Sequence, residues 1–274
     1  MSAVDIVILL ATGAFAGFAG GMLGLGGAFV MTPLQYIVYT NMGLGDDIAV
    51  KTAFGTSLLV VLTTAISGAL RHHQHGVVRW RESFIMGGCG LVCGLAGATL
   101  AAYLPGGILK IVFGVIAILS CVRMFFTAAE KKEAAPVTNP WIWALWAVPI
   151  GLFSGLLGVG GGVLLIPVMV IALKMKMHEA AANSLAVMIL TSIGGIIGYI
   201  INGLNAADRL SFSLGYINFT SWALLAVPAA VMAQVGAAAA HRIPRRWLLY
   251  TFIVILLYTG LRMIGVFEWL GWPL

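Results

Sequence analysis

The sequence predicts an all-α polytopic membrane protein. It reads as two inverted-topology repeats, each a glycine-broken helical hairpin followed by three transmembrane helices. Three observations predict this. The apolar runs are long enough to cross a bilayer, the chain repeats itself at constant spacing, and lysine and arginine gather on one side of the resulting arrangement.

Of the 274 residues, 61% are hydrophobic and 9% are charged. Soluble domains carry about 25% charged residues, so this surface requires lipid. Runs with few or no charges cover 6–40, 48–70, 83–104, 107–129, 141–173, 179–203, 217–240 and 247–267. About 20 apolar residues cross the roughly 30 Å hydrocarbon core, and the runs leave no room for a soluble domain. The opening Met1-Ser2-Ala3-Val4-Asp5 lacks the basic region of a secretory signal, so the first run is expected to be retained. The formal net charge of +6 points to no nucleic-acid partner in so apolar a chain. Cys89, Cys93 and Cys121 lie inside apolar runs and read as small buried hydrophobes. Cys89 and Cys93 share a helix face, but no third soft ligand is near them in sequence.

The repeat begins in the first run. Leu23-Gly24-Leu25-Gly26-Gly27 with Pro33 matches Leu157-Gly158-Val159-Gly160-Gly161 with Pro167, always 134 residues on, as do Gly17 and Gly21 with Gly151 and Gly155. In the next run the offset is 127: Ser57-Leu58 matches Ser184-Leu185, and Gly68 matches Gly195. It then becomes 139, pairing Gly97-Ala98 with Gly236-Ala237, Pro105 with Pro244, and Arg123-Met124 with Arg262-Met263. Offsets that hold within helices and change between them indicate duplication with loop insertions. The first repeat is therefore 1–126 and the second 141–274. The polar stretch 127–140 is a linker.

The interrupted runs 6–40 and 141–173 either cross once or turn back at the glycines. If they turn back, Arg71, Arg79, Arg81, Arg123, Lys131, Lys132, Lys174, Lys176, Arg242, Arg245 and Arg246 share one side, 11 of the 15 basic residues. Lys51, Lys110, Arg209 and Arg262 take the other. A single crossing leaves no bias. The hairpin reading obeys the positive-inside rule, places the linker in the cytoplasm and both termini outside, and inverts the second half relative to the first. Arms of roughly 15–18 residues are short for a full span, which favours re-entrant hairpins.

The glycine clusters are the first candidate site. Glycine admits sharp turns and puts no side chain between backbone and ligand. A helix starting after such a turn presents unpaired N–H groups and a partial positive charge, which hold an anion without a buried lysine. Gly26, Gly27, Gly161 and Gly162 are the expected backbone donors. The competing reading is close packing, which the GxxxG spacings Gly17/Gly21 and Gly151/Gly155 also suggest. Thr56, Ser57, Asn183 and Ser184, at matching places in the two halves, are expected to donate side-chain hydrogen bonds; the bland alternative is bonding back to their own helix. Gln35 and Gln234 are intramembrane amides suited to bonds between helices. Lys51 stands where it would attract anions at the outer mouth, or snorkel at a helix end.

All nine acidic residues (Asp5, Asp46, Asp47, Glu82, Glu130, Glu133, Glu179, Asp208, Glu268) and all five histidines (His72, His73, His75, His178, His241) map to helix ends or loops. That argues against a carboxylate proton relay, an intramembrane aspartyl protease, a zinc protease and a cation carrier. No enzyme, cofactor or metal site is expected.

Two stretches carry a family resemblance: Gly20-Gly21-Met22-Leu23-Gly24-Leu25-Gly26-Gly27 with Pro33, and Gly155-Leu156-Leu157-Gly158-Val159-Gly160-Gly161-Gly162 with Pro167. Together with Ala53-Phe54-Gly55-Thr56-Ser57-Leu58 they resemble the sulfite exporter TauE/SafE family, the toluenesulfonate uptake permease type, over essentially the whole chain. The resemblance implies a secondary transporter, in a bacterial-type inner membrane, for small sulfur-containing anions such as sulfite or organosulfonates. Alternating access, one half rocking against the other, is the expected mechanism; an anion channel or uncoupled facilitator is the alternative. Ala28 against Gly162, and Thr56 against Asn183, imply unequal contributions from the two halves.

Overall fold

The computed structural model describes residues 1–74, 76–127, 137, 139–206, 210–239 and 245–269. Most of the expected linker lies outside the described residues, as do His75, Asp208, Arg209, His241, Arg242 and the repeat match at Pro244. Lys131, Lys132, Glu130 and Glu133 fall with the linker.

The helices are α1 Ala3–Leu23, α2 Ala28–Asn41, α3 Asp46–His73, α4 Trp80–Tyr103, α5 Gly106–Thr127, α6 Pro140–Leu157, α7 Gly162–Pro167, α8 Met177–Gly203, α9 Phe219–Ala239, α10 Arg245–Ile264 and α11 Val266–Trp269. A π-helix, Val168–Ala172, prolongs α7, and a two-residue β-hairpin, β1 Ser213–Leu214 with β2 Ile217–Asn218, precedes α9. Among the described residues, α1, α3, α4, α6, α8 and α9 are long and apolar enough to cross a membrane. Their outward faces carry large apolar side chains such as Val92, Leu145, Val227 and Val231, a surface suited to lipid rather than water.

The hairpin arms are unequal, unlike the expected 15–18 residues each. α1 has 21 residues and α2 has 14; α6 has 18 and α7 only six before the π-helix. The cause lies at the helix ends. Ser2 and Asp5 form a capping box that starts α1 at the chain's beginning. Asn139 caps α6, with Pro140 as its first residue. Both first arms stop at a left-handed glycine, Gly24 or Gly158, whose N–H returns to Gly20 or Ser154. The glycines therefore divide each run unevenly, after first arms of 21 and 18 residues. Pro167 has no N–H to give the helix, and the π-turn follows it directly.

Packing exchanges helices between the halves. A methyl group on Gly17 would strike the Ala229 backbone, and one on Gly151 the Gly90 backbone. Gly21 meets Ala233 as Gly155 meets Gly94; Gly97 meets Leu152 as Gly236 meets Phe18. Offsets of 134 and 139 carry each contact onto its counterpart. So α1 lies backbone to backbone on α9, and α4 on α6. α3 and α8 cross at the centre in opposite directions, Gly68 beside Leu185 and Gly195 beside Leu58. The stacked rings of Phe54 and Phe113, 5.8 Å apart, and Phe29, 5.1 Å from Phe113, fill the side of the core next to α5.

Gly155→Val should therefore destabilise the protein by about 1–3 kcal/mol or more through overpacking. A lower Tm and less monodisperse protein in detergent would register it. Gly88, on the exposed face of α4 with open space around its α-carbon, is the contrast: Gly88→Ala should raise stability by roughly 0.5–1 kcal/mol.

Candidate functional site

The two glycine turns meet inside the bundle. Gly24, Gly26 and Gly27 have φ of 73°, 72° and 75°; Gly158, Gly160 and Gly161 have 67°, 71° and 87°. Three left-handed residues in four is a conformation that glycine alone adopts readily. The first turn is seated against the Ala181 backbone of α8, the second against the Phe54 backbone of α3. Gly26 and Gly160 share two neighbours. A methyl on Gly160 would lie 2.5 Å from Val61 Cγ1 and 3.1 Å from Met188 Cε. One on Gly26 would lie 3.3 Å from Val61 Cγ1 and would also strike Met188 Cε. Val61 and Met188 sit about halfway along α3 and α8, both fully buried.

Hydroxyls of the crossing helices reach three of the turns' carbonyls. Ser184 Oγ is 2.7 Å from Gly24 O and 2.8 Å from Ala181 O of its own helix; Thr191 Oγ1 is 3.0 Å from Gly160 O and 3.3 Å from Met188 O; Thr64 Oγ1 is 3.5 Å from Gly26 O and nearer, at 3.0 Å, to Val61 O. The N–H groups are treated differently. α2 and α7 begin without a side-chain cap. Val30 and Met31 both donate to Gly27 O. Among the described residues no acceptor takes the N–H of Gly27, Ala28 or Phe29, the buried first turn of α2. The buried first turn of α2 thus presents donors.

The sequence-predicted residues divide. Gly26, Gly27 and Gly161 lie in the turns as expected. Gly162 instead makes the contact between turns: a methyl there would stand 2.7 Å from Leu25 O, which accounts for glycine here against Ala28 in the first half. Thr56 Oγ1 accepts from Asn218 N (2.9 Å), tying α3 to the start of α9. Ser57 Oγ accepts from Thr32 Oγ1 and Gln35 Nε2, both at 2.8 Å, and Tyr39 donates to Gln35 Oε1 (3.2 Å). Asn183 Oδ1 accepts from Arg79 N and Ser83 Oγ, while its Nδ2 donates to Glu179 O and Val77 O. The Asn183 amide is therefore committed to holding the start of α4. Lys51 is buried and paired with Asp47 (2.7 Å), and it also donates to Ala102 O, so its charge is already compensated. Lys110 is likewise paired, with Asp46.

Thr32 and Tyr39 join a polar group of which the sequence offered only Gln35 and Ser57. Their spacing of three and four residues from Gln35 puts them on one helix face, a signal that was present. Ser154 Oγ and Ser192 Oγ, both fully buried beside the second turn, make no hydrogen bond. Ser154 lines an apolar cavity of about 10 Å³ with Phe29, Phe153, Leu157 and Gly161, at the lower limit for one water. Cys93 packs its β-carbon on Gly151.

Comparison with known proteins agrees with this architecture. The family model described as sulfite exporter TauE/SafE matches residues 9–263. A probable membrane transporter protein of Methanocaldococcus jannaschii is 30% identical over 260 residues, covering 94% of each chain. One from Haemophilus influenzae is 24% identical, covering 94% of this chain and 97% of the relative. YunE of Bacillus subtilis, also a probable membrane transporter, is 25% identical over 97% of this chain and all of its own. No solved structure matches.

Asn183→Ala leaves the Arg79 N–H and the Ser83 hydroxyl without their acceptor. It should cost about 1–3 kcal/mol of stability, visible as a lower Tm in detergent. A residue that served substrate alone would leave Tm in place.

Proposed function

The chain belongs to the sulfite exporter TauE/SafE family, and from that premise we propose that it exports a small sulfur-containing oxyanion, sulfite or a short organosulfonate, across the cell's inner membrane. The carrying observation is the meeting of two side-chain-free turns at the centre, with hydroxyls at three of their carbonyls and the first turn of α2 left with free N–H groups. A multi-pass membrane protein built this way binds an anion through neutral donors. That avoids the large cost of desolvating a buried lysine, and it keeps binding weak enough for release. The substrate lies between the turns, held by N–H groups around Gly26, Gly27 and Gly161 and by hydroxyls of the adjoining helices.

The inverted arrangement is part of the same reading. The antiparallel crossing of α3 and α8, and the exchange of contacts between α1–α9 and α6–α4, support it. With both termini outside, Arg79 and its partner Glu179 stand at the cytoplasmic end, and Lys51 and Lys110 at the outer end. A membrane potential negative inside favours anion exit, so export needs no coupled proton. Val61 and Met188 fill the space between the turns. A carrier needs such closure in each cycle, whereas an anion channel of the same architecture stands open.

Purified protein in liposomes should give saturable sulfite or methanesulfonate flux, with sulfate and thiosulfate as competitors to rank. Flux of none of these anions, or currents that never saturate, would overturn the carrier reading. Met188→Ala should loosen the closure and raise passive anion leak several-fold. Gly27→Leu in folded protein should abolish transport.

A further inference from the structure

The halves repeat in sequence, but the two turns are not equally furnished. Around the second turn stand Ser154 of α6 and Ser192 of α8. They flank its consecutive glycines: a methyl on Gly160 would lie 3.1 Å from Ser192 Oγ, and one on Gly161 3.4 Å from Ser154 Cβ. Ser154 is 1% exposed and Ser192 0%, yet neither hydroxyl has a partner. The other hydroxyls that reach the turns are used: Thr191 on Gly160, Ser184 on Gly24, Thr64 on Gly26. A buried hydroxyl without a partner lowers stability, and most buried polar side chains avoid it.

The matching positions in the first half have no such groups. Offset 134 carries Ser154 to Gly20, and offset 127 carries Ser192 to Ala65. Gly20 is the reason the first turn packs directly on α1, since a methyl there would stand 3.0 Å from Gly27 N. At the second turn Ser154 holds the chain off α6, and the small cavity opens beside it. This half also has the shorter second arm, six helical residues followed by a π-helix, an irregularity often found at functional sites.

We propose that Ser154 and Ser192 are substrate-binding residues, two neutral donors on either side of Gly160-Gly161 that each take one oxygen of the transported oxyanion. This rests on the transporter reading above and places the substrate's oxygens at the second turn. A hydroxyl donates one hydrogen bond in any direction its rotor allows. Two donors on opposite sides of the turn suit a group with two or more oxygens on one centre, as in sulfite or a sulfonate. Halides, single atoms that cannot offer one acceptor to each side, are selected against.

The test uses purified full-length protein in detergent and in liposomes. Ser154→Ala and Ser192→Ala are compared with Ser67→Ala, whose hydroxyl donates to Ala230 O at 2.8 Å. Ser154→Cys and Ser192→Cys supply variants of nearly unchanged size. Ser154→Ala and Ser192→Ala should keep or raise the substrate-free Tm. Each should raise the sulfite KM roughly tenfold to a hundredfold, the loss of a hydrogen bond to a charged group, and shrink the Tm gain on adding sulfite. The cysteine variants should fall between. Ser67→Ala should lower Tm and leave KM in place. If the wild type transports sulfite or methanesulfonate and the serine variants keep its KM, the assignment is overturned while the transporter reading stands. Lower Tm with unchanged KM shows structural serines and also overturns it. If the wild type moves none of the anions, the transporter reading fails and this one with it.

Discussion

Irregular backbone inside a membrane protein must find partners for its own polar groups, because lipid offers none. Each glycine turn here interrupts a helix in the interior of the bundle, and the rest of the structure is arranged to make that tolerable. α3 and α8 cross at the turns and supply Thr64, Thr191 and Ser184 to their carbonyl oxygens. The N–H of Gly24 and of Leu25 both return to Gly20 O. Among the described residues the N–H groups of Gly27, Ala28 and Phe29 have no such partner.

Absence of side chains is the second part of the same constraint. The turns can approach only because Gly162 lets the Leu25 carbonyl come close, and they can seat only because Gly24 and Gly158 leave room for the backbones of Ala181 and Phe54. The small residues outside the turns do the same for whole helices. In lipid no hydrophobic force drives helices together, and close backbone contact does that work instead. This is why so many glycines read equally well in sequence as packing or as site. Gly17, Gly21, Gly151 and Gly155 are packing. Gly26, Gly27, Gly160 and Gly161 line the centre.

Much of this was legible in the residues. Apolar runs located the helices to within a few residues, because membrane spans are set by length and by charges at their ends. The repeat offsets carry contacts of one half onto their counterparts in the other, and the structure adds the pair Val61 and Met188. The unequal hairpin arms were hidden by helix caps: Ser2 and Asn139 act through local geometry that an apolar run does not display. Asn183 looked like its counterpart Thr56, and both do hold the start of a helix from the other half, α4 and α9 respectively. That role depends on which helix end lies opposite, which spacing alone does not give. Ser154 and Ser192 were invisible for a plainer reason. A single serine in an apolar helix reads as a small residue, and only the packing around it shows whether its hydroxyl has a partner.

The packing also constrains how such a protein can move. Rocking one sequence half against the other would separate α1 from α9 and α4 from α6. Those are the pairs in which backbone lies on backbone through Gly17, Gly21, Gly151 and Gly155. Interfaces of that kind slide poorly, because every shift drives a neighbouring carbonyl or methyl into the space a glycine leaves. A motion that keeps these contacts would carry α1 with α9 and α4 with α6. Shorter elements lie apart from these pairs: α2, α7 with its π-turn, and the side chains of Val61 and Met188 between them. Met188 suits this position, since an unbranched thioether changes rotamer at little cost. The first half holds its second arm with Thr32, Gln35 and Tyr39 bonded around Ser57, whereas the matching Ile166, Met169 and Leu173 have no polar side chains with which to do so. The arm with fewer side-chain bonds is thus the one after the second turn, the same turn that carries the two unpartnered serines.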